Sequence, residues 1–423
     1  MRQIRRRLTL AITVVLLVLC GGCGPGTPEK ITLTVATFGQ FGYDDLIPGY
    51  EFTHPGLTIN QVRTEQGGPY HQDLLAKLQS GKGLADVQAV EEGHLADVLA
   101  QSSKFADLAK IGPADVKPGR WLEWKYEAGR SKDGKLVGYG TDIGPLAMCY
   151  RKDLLETAGL PTDPGSVKTM FATWDSYFEA GERYVKRSHG KAWFDSAAQI
   201  FNAMVNQLPV GYLDRNDRPT LDNNPAVRTA WNQVATSVKQ GQSAGLTAFA
   251  DDGNNGLRLG SFATKVCPSW MLGAIEQQAG VGNAGKWAIT DAFPDGGGNW
   301  GGSYLTVPAS SPHQKEAAAL AAWLTAPEQQ LHAFRVSGNF PSQVDAFTSP
   351  DLLSEMNSYF GGALSGQVFV AQARKVGKPQ YKGPGDGKIQ EAVIAPALKS
   401  VEQGTDPAAA WQEVLTGVHR VVP

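Results

Sequence analysis

Apolar and polar positions alternate with period two over Ile31–Ala36 and again over Leu57–Arg63, which marks both stretches as strands. The segment between them, Asp44–Thr53, reads as a helix. The cycle then repeats. Leu74, Leu75 and Leu78 share one face of a helix over Tyr70–Ser80, Ala85–Val90 is a short strand of the buried type, and His94–Gln101 is the next helix. Strands alternating with helices predict a parallel or mixed α/β sheet. Open sheets of this kind take ligands beyond the carboxyl ends of their strands, so the turns after Ala36 and Val90 are the expected binding region.

The middle of the chain is rich in helical pattern and is cut by turn signals at Leu160-Pro161, Asp163-Pro164, Asp251-Asp252-Gly253 and Asp295-Gly296-Gly297-Gly298. It reads as a second lobe. Strand character returns at Ser303–Pro308. An alanine-rich helix over Lys315–Thr325 then turns Ala318, Ala321, Ala322 and Trp323 to a core, and Pro327 opens another helix. The last helix, 406–422, begins with Asp406 as N-cap and Pro407 at its first position. No repeat of 20 to 50 residues is present in the sequence.

The N-terminus has a different pattern. Arg2 and Arg5 to Arg7 precede an apolar run, Leu8–Leu19, that closes on Gly21, Gly22 and Cys23. Its 12 residues fall short of the roughly 20 that span a bilayer, so 1–22 reads as a cleaved export signal. Cysteine after two small residues resembles the lipobox of bacterial lipoproteins, although Cys20 stands where those proteins usually have Leu. The resemblance implies that Cys23 is the first mature residue and carries a lipid. Residues 23–29 would then be an extended, glycine- and proline-rich tether that holds the body at the outer face of the membrane.

About 400 mature residues favour two lobes over one small domain. The chain has 39 basic and 41 acidic residues; without the four arginines of the signal this becomes 35 against 41, a net charge of −6. That sign, and the lack of a basic stripe interleaved with aromatics, argues against nucleic acid as a partner. Cys149 and Cys267 are the two cysteines left within the body. In an exported protein they are a disulfide candidate; two separate buried thiols are the alternative.

Enzyme signatures are absent from the sequence. There is no nucleophile elbow, no His-Glu-x-x-His zinc helix and no phosphate loop, and the seven histidines are scattered. No spacing identifies a glycosidase carboxylate pair. Asp214, Asn216 and Asp217 hint at calcium, but Arg218 and Pro219 replace the oxygen ligand and glycine that a calcium loop needs, so the stretch reads as a turn. No metal or cofactor is expected.

Several ordered segments resemble the extracellular solute-binding proteins of carbohydrate ABC importers, the group that includes maltose-binding protein. They are Leu33 to Ala36 with Phe38 to Tyr43, Ala85-Asp86-Val87, Asp142 to Leu154 with Ala158 to Pro161, Thr173-Trp174-Asp175, Cys267 to Met271, Asn299 to Ser303, Ala326 to Gln330 and Asn339 to Ser342. The resemblance covers about residues 30–420, and in detail it is strongest to binders of cellobiose and cello-oligosaccharides. It implies a two-lobed periplasmic-binding-protein fold of α/β class (type II), with crossing strands, a hinge and a central cleft. Lobe I would take 30–143 plus 297–326, and lobe II 144–296 plus 327–423. A monomer would hold a neutral oligosaccharide and present it, unaltered, to membrane permease subunits of the importer; the alternatives are a binder of another solute, such as a different oligosaccharide, an amino acid, a polyamine or a metal complex, and an enzyme acting on the same sugars.

Sugars offer apolar C–H faces and rings of hydroxyls, so their binders need aromatic platforms and fixed polar groups. Trp270 aligns with a stacking tryptophan of the maltose binder, and Trp300 stands in a glycine-flanked turn. Phe38, Gln40 and Phe41 lie in the first strand-to-helix turn, and Glu91, Glu92 and Asp142 fall at strand ends facing the cleft. Neighbours in a strand point opposite ways, so one of Glu91 and Glu92 should reach the ligand unless the chain turns there. A helix N-cap is the other reading of Glu92. Trp193 and Asp195 complete the set, with Phe194 between them, from a region where the family places second-lobe contacts. Trp174, Trp231, Trp323 and Trp411 lie in helical patterns or at helix starts and are assigned to the core.

Overall fold

The computed structural model describes residues 30–377 and 379–422. The signal 1–22, the lipid site Cys23 and the tether 23–29 lie outside the described residues.

Strand Ile31–Phe38 buries Leu33 and Val35 on one face, as its alternation requires. It pairs in parallel with Leu57–Thr64 on one side and Val87–Glu91 on the other. Ser303–Thr306 then joins antiparallel to Val87–Glu91, and Gly138–Gly140 pairs antiparallel with it at the far edge. The second sheet runs Ala192–Phe194, Phe262–Pro268, Leu146–Arg151, Trp287–Thr290, with only its first pair parallel. Each sheet has its own core. Leu33, Val87, Leu305 and Leu320 pack in one, and Met148, Phe194, Trp231 and Val266 in the other. This is the two-lobed α/β fold.

Three stretches connect the sheets. Residues 141–145 lead from Gly138–Gly140 to Leu146–Arg151, 291–302 lead back to Ser303–Thr306, and a third passes through the helices Gln314–Leu324 and Pro327–Ser337. The stretches brace one another: Phe340–Pro341 pairs with Asp142–Ile143, and Pro145 bridges Asn299. Such short paired segments between rigid bodies are where hinge rotation is absorbed.

Local chemistry fixes element ends. Asp406 caps helix Pro407–Val421 by accepting from Ala408 N (2.9 Å) and Ala409 N (3.1 Å). The helix expected from His94 starts earlier, at Glu92, because the Glu91 carboxylate accepts from Gly93 N at 2.6 Å. Asp214 closes a turn with Asn216 and Arg218 rather than a calcium loop. Cys149 and Cys267 lie on adjacent strands with Cα atoms 5.5 Å apart and are disulfide-bonded within the buried second lobe. Trp174, Trp231 and Trp411 are buried, while Trp323 is half-buried against the first core.

Candidate ligand-binding cleft

The two carboxylates at the end of Val87–Glu91 come together because the strand turns at once into a helix. Glu91 ends the strand and caps the helix; Glu92 is the first helical residue. Both lie against the crossing segment 299–302. Glu92 Oε2 accepts from Asn299 Nδ2 at 2.7 Å, and a Cβ on Gly301 would stand 3.4 Å from Glu91 Oε1. Asn299 is itself held at both ends, since Gly144 N donates to its Oδ1 (2.9 Å) and its Nδ2 also donates to the Gly301 carbonyl (3.0 Å). The amide therefore fixes Glu92 to the segment that links the lobes.

Asp142 sits beneath them, buried, with Oδ1 accepting from Thr141 Oγ1 (2.5 Å) and Ser303 N (2.9 Å). Facing these acids is Lys125, fully buried, whose Nζ stands 3.8 Å over the Tyr304 ring and has no hydrogen-bond partner. Gly140 makes room for it: a Cβ there would meet the lysine stem at 2.8 Å. Burial lowers the Lys125 amine to about 8, against the pull of Asp142, Glu92 and Glu91.

Trp270 and Trp300 stand edge to face, 6.2 Å apart, both half-buried. Trp270 Nε1 donates to the Trp300 carbonyl at 3.1 Å. The backbones here are crowded. A Cβ on Gly144 would fall 1.8 Å from the Trp300 oxygen, and Gly302, at φ +94°, has the Asp142 carbonyl 2.4 Å from where its Cβ would be. Glycine at these positions lets the crossing segments touch while the indole rings project.

From the second lobe, Lys382 and Asp386 lie close enough to both glutamates to shift and be shifted by them. Burial alone would lower Lys382, but Glu92, Glu91 and Asp386 hold it above the ordinary lysine value. Burial raises Asp386 to about 7, and its Oδ2 is buried without a partner. Glu92 is raised too, chiefly by burial, with Lys382 and Lys125 opposing. Beside this cluster Asp97 Oδ1 accepts from Gly385 N (3.0 Å) and His94 Nε2 lies 3.4 Å from Glu391 Oε1. These contacts join helix Glu92–Leu99 of one lobe to the C-terminal helices of the other. Glu391 sits in a π-helical turn, Gln390–Ile394, a local distortion that often accompanies function.

The remaining residues expected in the site fall differently. Phe38 is half-buried at its strand end, against Phe41 (5.3 Å), Tyr70 (5.3 Å) and His71 (4.9 Å). Gln40 is exposed on the rim, where its side chain accepts from Arg63 Nη1 (3.3 Å) and its carbonyl from Asn339 Nδ2 (2.8 Å). Phe41 is a correction: its ring is buried in the first-lobe core beside Tyr43, so the turn presents Phe38 rather than both rings. Trp193 is another. It is fully buried among Phe171, Tyr177 and Tyr184 because strand Ala192–Phe194 is the covered edge of the second sheet. Asp195 is buried and ion-paired to Lys265, away from the carboxylate cluster.

The sequence does not mark Lys125, Asn299, Lys382 and Asp386 as members of this cluster. The glycine-rich run Lys382-Gly383-Pro384-Gly385-Asp386-Gly387 was the available signal, since charge held in a tight glycine-rich loop often serves a ligand. Lys125 lies within a short helix and offered none. Among the described residues no cluster of three or more His, Cys, Asp or Glu is disposed to hold a metal.

Two lobes, three crossing segments and aromatic and charged groups gathered between them define a hinged binding protein. Residues 46–356 match the family of bacterial extracellular solute-binding proteins, and the chain belongs to that family. The arabinooligosaccharide-binding protein of Bacillus subtilis (strain 168) is 27% identical over 380 residues, 83% of this chain and 83% of that protein. An uncharacterised lipoprotein of Streptomyces antibioticus is 25% identical over 448 residues, 97% of this chain and 92% of that one. The crystal structure of an extracellular solute-binding protein of family 1 superposes with a TM-score of 0.82 at 44% identity, covering 93% of this chain and all of that chain (100%).

Proposed function

We propose that this protein is the receptor of a carbohydrate ABC importer, binding a neutral oligosaccharide between its lobes and handing it unchanged to membrane permease subunits. The carrying observation is the Trp270–Trp300 pair, two half-buried indoles at right angles beside Glu91 and Glu92. Indole faces suit the C–H faces of a sugar ring, and the carboxylates accept from its hydroxyls. An arabinooligosaccharide binder among the relatives supports the ligand class. Within that class cellobiose and cello-oligosaccharides are the first choice, on the sequence resemblance already described.

Lobe I is assigned 30–143 with 297–326 and lobe II 144–296 with 327–423, the protein acting as a monomer. Trp270, Trp300, Phe38, Glu91 and Glu92 contact the ligand, and Gln40 lines the rim. Asp142, Lys125 and Asn299 set the positions and charge of the glutamates. Cys23 carries the lipid that anchors the exported protein to the outer face of the cell membrane. No step of catalysis is assigned.

A second reading has its own observation: even without Asp386, which burial raises to about 7, Glu91, Glu92 and Asp142 outnumber Lys125 and Lys382. That balance suits a ligand bearing an ammonium group. Calorimetric titration with neutral disaccharides and with glucosamine-containing ones tests both. Tight binding of a neutral sugar supports the first reading, and binding confined to the cationic sugars supports the second.

A further inference from the structure

Next to Trp270, reached through Phe249, lies a separate cavity. Asp195 and Lys265 are at its floor, Leu257, Phe262 and Met271 line its walls, and Phe249 stands at its mouth. It has about 20 Å³ of room for a water-sized group, more than the roughly 10–15 Å³ that one water needs. The walls are mostly apolar, with the amides of Asn254 and Gln278 also in the lining, and the floor is charged. Asp195 is 2% exposed and one of its oxygens accepts from the Lys265 ammonium, while Oδ1 is buried with no hydrogen-bond partner. An unpaired carboxylate oxygen in a mostly apolar pocket is costly unless a donor enters.

Phe249, at the mouth, is held in a strained conformation. Its backbone has φ +65°, a conformation that a bulky side chain rarely adopts. The loop enforces it. Leu246 N donates to the Asp195 carbonyl (3.0 Å), Asp252 Oδ2 accepts from Thr247 N (3.0 Å), and a Cβ on Gly253 would meet the Thr247 oxygen at 2.3 Å. The result is an aromatic ring, 46% exposed, with its centroid 6.0 Å from that of Trp270. Strain held this way at a binding surface points to use.

We infer that this cavity is a subsite of the cleft that takes an exocyclic hydroxymethyl group of the bound sugar, with Phe249 beside the ring that carries it. The methylene packs on Leu257 and Met271, and the hydroxyl donates to Asp195 Oδ1. Lys265 holds the other carboxylate oxygen and so leaves Oδ1 free for the pocket. The subsite makes the protein a reader of hexopyranose against pentopyranose units, which differ in this one group. The inference rests on the oligosaccharide reading of the cleft.

Calorimetric titration of the full chain with cellobiose and lactose, each alongside the analogue in which hydrogen replaces the hydroxymethyl groups, tests the subsite apart from the sugar reading. For cellobiose that analogue is xylobiose. The wild type should bind the preferred hexose disaccharide at least roughly tenfold more tightly than its analogue. Ala274→Leu, which fills the cavity from the helix Met271–Ala279, should bring the hexose sugar down to its analogue's level and leave the analogue's affinity unchanged. Asp195→Asn should act in the same direction where it folds. Equal affinity for a pair in the wild type, or an Ala274→Leu loss shared equally by both members, would overturn the subsite and leave the sugar reading intact. No binding to any pair would overturn the sugar reading and the subsite with it.

Discussion

The indole N–H of Trp270 donates to the main-chain oxygen of Trp300 at 3.1 Å, so the ring nearest the proposed ligand is tied to the segment that crosses between the lobes. The bond fixes the angle between the two rings, and a sugar stacking on one meets the other at its edge. Trp270→Ala should weaken oligosaccharide binding by about 2–3 kcal/mol, with Trp270→Phe losing less. Titration calorimetry reads the loss. An unchanged melting temperature without ligand places the effect in the cleft rather than in folding.

Asn299 is the brace of the site. Removing its amide leaves the Glu92 carboxylate and the Gly144 N–H unpaired in a buried setting, each worth about 1–3 kcal/mol. Asn299→Ala should therefore lower both stability and ligand affinity, whereas Glu92→Gln, which keeps an acceptor for Asn299, should chiefly change affinity. Thermal unfolding and titration of the two variants side by side check this.

Asp386 gives the pH dependence a definite sign. Its folded value, raised to about 7 by burial, lies above the ordinary carboxyl value. The folded chain thus holds a proton that the unfolded chain has released, and the stability due to the neutral acid is lost as pH rises through about 7. His94, held above its usual value by Glu391, Glu91 and Asp97 although burial opposes them, acts in the same sense. Asp386→Asn should raise the melting temperature at pH 8 by more than at pH 5, measured by scanning calorimetry.

The bonds from His94 to Glu391 and from Asp97 to Gly385 tie the lobes at the side of the cleft away from the hinge ladder of Asp142–Ile143 and Phe340–Pro341. Glu391→Gln should remove the charge that favours protonated His94 and make the ligand-free protein more open in mild acid. Small-angle scattering at pH 6 is the check, with an increase in radius of gyration expected for the variant.

Cys149 and Cys267 join neighbouring strands across 118 residues of sequence, a closure that restrains the unfolded chain by about 4–5 kcal/mol in the loop-entropy description. Replacing both by alanine should lower the melting temperature, and reductant should then have no further effect.

The first sheet was legible because period-two and helical patterns alternate clearly there. Ile31–Phe38, Leu57–Thr64 and the helix Gly67–Ser80 fall within a few residues of expectation. The second sheet was harder to read. Leu146–Arg151 and Phe262–Pro268 are buried on both faces and show no alternation. The site followed the same division. Loop context and resemblance single out Trp270 and Trp300, which the fold sets edge to face, half-buried, beside the glutamates, whereas Trp193 and Phe41, aromatic like them, are packed into the cores. Lys125 and Asp386 join this cluster only through folding, which brings a short helix and a distant glycine-rich loop to the same two glutamates.

The proposed receptor holds an oligosaccharide in its cleft and releases it chemically unchanged. The most direct test is calorimetric titration of the purified protein with cellobiose, cello-oligosaccharides, α-1,5-arabinobiose, lactose and maltose, followed by chromatography of the recovered sugar. Saturable one-to-one binding of a preferred sugar, recovered intact, is the predicted result. Hydrolysis of the sugar, or silence across the whole set, would contradict it.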